Sequence, residues 1–121
     1  TITITSIFFV LLFIACNTQT EYNELLVRVD SLTRSQLDSA LHIFQKFPMD
    51  SLKTEADSAY YALLMTTIQD KSFIVQTDDS LIRSAVTYYD KTNDTEKQAQ
   101  AYYYAGCVYR DLQKKEKAIT Q

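Results

Sequence analysis

Few side chains in this sequence are equipped for chemistry. His42 is the only histidine, set between Leu41 and Ile43 with no serine or cysteine nucleophile pattern nearby. A general base needs such a nucleophile within hydrogen-bond reach, so His42 reads as a solvated or half-buried helical residue. Asp78-Asp79 offers two carboxylates, but no further ligand follows at a calcium-loop spacing. Short acidic side chains also satisfy the unpaired amides at a helix start, and that explains the pair without a metal. The two cysteines, Cys16 and Cys107, lie far apart in the chain, and Cys107 sits in an aromatic helical segment as a small apolar residue would. Nine tyrosines gather as Tyr60-Tyr61, Tyr88-Tyr89 and Tyr102-Tyr103-Tyr104, with others alone. No nucleophile–base pair emerges, so no enzyme, metal or cofactor is expected.

The remaining composition sets what could position these residues. The 121 residues contain one Gly, one Pro and no Trp. A dinucleotide-binding fingerprint or a phosphate loop needs at least two glycines, so both are excluded. One histidine excludes a multi-histidine zinc site. Sheets joined by tight turns would lack residues for the positive-φ positions. With 46% hydrophobic and 22% charged residues, the balance is that of a compact helical protein. The net charge of −3 argues against direct nucleic-acid contact.

Residues 1–20 carry no charge, and Ile7 to Cys16 is an unbroken apolar run that turns polar at Asn17. The run has the length of a signal-peptide core and about half that of a membrane span. A buried core helix of this length would show a polar face and an N-cap, and neither is present. Ala15-Cys16 at its end resembles a bacterial lipoprotein signal, in which the cysteine becomes the lipidated first residue. The resemblance implies 1–16 as signal peptide and lipobox, lipidation at Cys16, and anchorage in a bacterial cell envelope. Threonine at position 1 leads us to expect a fragment of a longer protein.

From Glu21 the apolar period is helical. Leu25, Leu26, Val29 and Leu32 mark a short first helix, so that 17–34 forms a linker and this helix. Leu37, Ala40, Leu41, Phe44 and Phe47 share a face of a second helix, ended by Pro48. A third, capped by Asp50 or Ser51, runs from Leu52 to about Gln69. Lys71 to Thr77 reads as a connection. Thr77, Asp78 or Asp79 caps a fourth helix carrying Leu81, Ile82, Ala85, Val86 and Tyr89. Thr95 and Gln98 have a capping-box spacing before a fifth helix over Glu96 to Leu112. Gln113 to Glu116 is expected to turn into a sixth helix from Lys117.

Fixed-period self-similarity follows. Tyr102-x-x-Ala105-Gly106-x-x-Tyr109, then Ala118, resembles the tetratricopeptide (TPR) repeat, with Ala105 where leucine is commoner. The resemblance implies that Gly106 and Ala118 meet closely between two helices, with Tyr102 and Tyr109 beside them. Ala85-x-x-x-Tyr89 looks like the matching element one repeat earlier, 33 residues before Ala118, close to the period of about 34. Ala40-x-x-x-Phe44 looks like the one before that, with about eleven surplus residues against that period. The fold expected is therefore all-α, a TPR-like array of antiparallel helix pairs over 35–121, cut off at its C-terminal end.

The order of lipobox, linker and helix pairs resembles TPR lipoproteins of the Bacteroidetes type. It implies a protein-binding scaffold or sensor module, with a protein or peptide partner and a membrane reached through the lipid. The alternatives are the sensory arm of a membrane-linked transcription regulator and a glycan-binding envelope lipoprotein. By the same resemblance Gln100, Tyr103, Cys107, Arg110 and Asp111 would line a concave binding face. The competing reading is that the tyrosines pack against a neighbouring repeat.

Overall fold

The computed structural model describes residues 20–120. Cys16 and the apolar run before it lie outside the described residues. Five α-helices follow one another: α1 (Glu24–Ser35), α2 (Leu37–Gln45), α3 (Glu55–Lys71), α4 (Ser80–Tyr89) and α5 (Thr95–Thr120), with a 3₁₀ turn at Met49–Ser51. No strand occurs among the described residues, and the all-α class holds. Each helix packs on the next, and α3 also packs on α1 and α5.

The helix starts are set by short polar side chains. Asn23 caps α1 by accepting from the Leu25 amide at 2.8 Å, while its own backbone N–H donates to Asp57 on α3 at 2.8 Å. Thr54 caps α3 through the Asp57 amide at 3.0 Å. This cap moves the start of α3 three residues beyond Leu52, because residues 49–51 close a separate 3₁₀ turn. Asp94, not Thr95, accepts from the Lys97 amide at 3.0 Å at the start of α5. Gln98 reaches back to the Tyr89 and Thr92 carbonyls instead of closing a capping box.

Two apolar clusters fill the molecule, and α3 divides them. On one side Leu26 and Val29 of α1 and Ala40 and Phe44 of α2 meet Tyr60, Tyr61, Leu64 and Ile68. On the other, Ala59, Ala62 and Leu63 meet Ile82, Ala85 and Tyr89 of α4 and Ala101, Ala105 and Val108 of α5. A helix apolar all round belongs in an interior, and α3 is buried on nearly every face. Its buried hydroxyls are satisfied locally: Thr66 donates to the Ala62 carbonyl at 2.9 Å.

One expectation is corrected. Residues 113–116 do not turn, and α5 runs through them as one rod to Thr120. Gln-Lys-Lys-Glu contains good helix formers and no breaker, so charge alone does not end a helix. Gly106 and Ala118 therefore lie on the same helix, about 18 Å apart along its axis, and do not meet. Gly106 is exposed, and a Cβ added there would touch nothing within 4 Å.

Candidate functional site

Helix α3 packs between α1 and α5, and the three helices line a hollow of 140 Å³. Asp30 and Arg34 of α1, Thr67 and Lys71 of α3, and Gln100 and Tyr104 of α5 contribute to its lining. Helical spacing puts these pairs there, since residues three or four apart share a face. The Tyr60 hydroxyl donates to the Asp30 carboxylate, and Arg34 stands 3.9 Å from the same carboxylate. Burial, and then the Asp30 hydrogen bond, push the Tyr60 phenol well above its ordinary range. Burial, followed by the nearby Asp70 charge, also raises Tyr104. The hollow thus has one protonated phenol, that of Tyr104, two cations, Arg34 and Lys71, and one carboxylate that Tyr60 and Arg34 already engage. It can donate hydrogen bonds to a ligand and balance negative charge on it, but none of its groups is placed as a nucleophile with a base.

Of the five residues expected on one binding face, Gln100 is half-buried in this hollow, and Tyr103 is exposed with its ring edge-on to Tyr104 at 4.9 Å. The other three are engaged elsewhere. Cys107 is buried. Asp111 is buried and accepts the Gln76 amide at 3.0 Å, which pins the connection between α3 and α4 to α5. Arg110 spans Asp70 at 3.1 Å and Asp111 at 3.3 Å, locking the end of α3 to the same place.

The repeat-signature residues divide similarly. Ala85, Tyr89 and Ala105 are buried in the cluster between α3, α4 and α5. Tyr102 and Tyr109 are about half exposed, and Ala118 is exposed. The Tyr102 hydroxyl donates to Asp90 at 2.7 Å, a bond that raises its phenol and ties α5 to the end of α4.

Asp30, Arg34, Lys71 and Gln76 were missed from sequence. Their signal is weak there, because charged residues at helical spacing usually mark solvent. Only the packing of α1 on α3 turns Asp30 and Arg34 toward Tyr60 and Gln100. Tyr22 packs at a tilt on Tyr60 with ring centroids 4.4 Å apart, and its hydroxyl pairs with that of Tyr89 at 3.3 Å. The Lys97 ammonium lies 5.4 Å from the Tyr22 ring centroid and 5.1 Å from that of Tyr60, within cation–π range.

No helix among the described residues is long and apolar enough to cross a membrane. No protein-family model matches the chain, and no curated protein or solved structure matches it significantly.

Proposed function

We propose that this chain is a non-catalytic, TPR-like protein-binding module of a bacterial envelope lipoprotein, tethered through a lipid on Cys16. On this reading α1, α3 and α5 are the first helices of successive pairs, and a partner's extended segment lies across them. The observation that carries the reading is the hollow between those helices, where Arg34, Lys71, Gln100 and Tyr104 converge without any nucleophile–base pair. A mixed aromatic and charged lining suits recognition by hydrogen bonding and shape, with Tyr as the anchor. The resemblance of Tyr102-x-x-Ala105-Gly106-x-x-Tyr109 to the repeat motif supports the same assignment.

A photo-reactive benzoylphenylalanine at Gln100, in the hollow, is compared with one at Gln45 on the exposed side of α2. A discrete polypeptide adduct from position 100 and none from 45 is expected in the source envelope. Equal labelling at both, or glycan adducts only, overturns the protein-binding reading. Radiolabelled palmitate should enter the wild-type chain and not Cys16→Ser; equal incorporation overturns the tether.

A further inference from the structure

The connection after α3 ends in an arrangement that its sequence does not favour. The Phe73 amide bonds to the Asp70 carbonyl at 3.1 Å and the Ile74 amide to the Gln69 carbonyl at 2.9 Å. These two bonds, with a left-handed residue between them, form the Schellman closure of a helix. That left-handed position normally belongs to glycine, yet Phe73 holds it at φ 59°. A bulky side chain there carries conformational strain. Nothing in the fold offsets it, since Phe73 is 94% exposed.

The ring also does not stand alone. Ile74, Val75 and Leu81 are exposed beside it, and these three apolar side chains line a hollow of 370 Å³ together with five polar residues, Asp78 and Ser80 among them. A cavity of about 150 Å³ takes a benzene ring, so this one has room for a phenylalanine side chain. The strand of chain that carries both features is held in place by the Asp111–Gln76 bond and the Arg110 bridge. The backbone that presents knob and hole is thus held before any contact forms, which lowers the cost of association.

We infer that this surface pairs with a second copy of itself, Phe73 of each chain entering the hollow of the other. A knob and a hole side by side on one surface are what a two-fold, isologous contact requires, because one patch must satisfy itself. The four apolar side chains amount to roughly 400 Å², about half the usual 800 Å² per partner. The dimer is therefore transient. It is also compatible with tethering. Tyr22 is bonded to Tyr89 at the far end of α4, and the knob precedes the near end of that helix, about 15 Å away along its axis.

Sedimentation equilibrium of the full chain in density-matched detergent, up to about 0.5 mM, tests the contact. Wild-type chains should show a monomer–dimer equilibrium. Phe73→Gly removes the knob and Leu81→Lys blocks the hole, and each should weaken the dimer at least about 10-fold. Mixing the two variants should restore association in part, because the intact knob of Leu81→Lys meets the intact hollow of Phe73→Gly while the reciprocal contact stays lost. Tyr109→Ser with Ile119→Ser, on the exposed part of α5, should leave the equilibrium unchanged. Monomers at every concentration, dimers indifferent to both variants, or no gain on mixing would each overturn the inference.

Discussion

At the scale of single residues, Phe73 is where local and global preferences disagree. A left-handed conformation costs an L-residue roughly 1–2 kcal/mol, and the exposed ring recovers none of it in the monomer. Phe73→Gly should raise the stability of the dilute monomer by about 1 kcal/mol, a Tm increase of about 4–8 °C. A lower Tm in a dilute circular-dichroism melt would show that the ring packs in the monomer after all. Tyr60 and Tyr89 make a second residue-scale case. Burial is the largest cause of the upward shift in both, followed by the Asp30 bond for Tyr60 and the Tyr22 bond for Tyr89. Both phenols stay protonated in the fold, whereas in the unfolded chain they ionise near pH 10. Their contribution is thus intact below about pH 10 and is lost as pH rises further. Absorbance of Tyr60 and Tyr89 phenolate at 295 nm should appear only together with loss of helical ellipticity. Phenolate from these two, measured with the other tyrosines changed to Phe, in a chain that keeps its helicity would contradict this.

At the scale of elements, the helices differ in how much of each was legible. The periods of α1, α2 and α4 were readable because each has one apolar face and the opposite face polar. The register of α3 was ambiguous for a physical reason: Tyr61, Ala62, Thr66 and Ile68 are buried along with the expected face, so no polar stripe marks an outside. The end of α5 is not legible, because a charged run such as Gln113 to Glu116 looks the same in a solvated helix as in a turn. Its consequence can be measured. From Gln113 to Thr120 the helix is exposed all round and packs on nothing described. Lys115→Pro should therefore shift Tm by no more than about 2 °C, since only a fraying end is broken. Ala105→Pro, buried in the α4–α5 contact, should cost about 3 kcal/mol or more. Similar losses for the two would mean that the distal part of α5 is supported. The candidate site was less legible than the helices. Of the residues named from the repeat register, Gln100 lines the hollow and Tyr103 does not, and Asp111 could not be separated from them, because its partner is a backbone amide 35 positions away.

At the scale of the whole molecule, α3 makes two cores behave as one. Leu64 belongs to the cluster with α1 and α2, and Leu63 to the cluster with α4 and α5. Truncating either to Ala should cost about 2–5 kcal/mol. Because both side chains stand on one helix, each truncation should lower the midpoint of a single common transition. Two separated transitions in a calorimetric scan of Leu64→Ala would mean that the halves melt independently. The knot at the start of the chain has a mechanical consequence. Tyr22 is joined at once to α3 through the Tyr60 ring, to α4 through Tyr89, and to α5 through Lys97, while Asn23 is bonded to Asp57. A pull on the segment before Thr20 is therefore not delivered to α1 alone. The load is shared among three further helices at one seam, so tension from that side shears the bundle as a unit instead of peeling off its first helix.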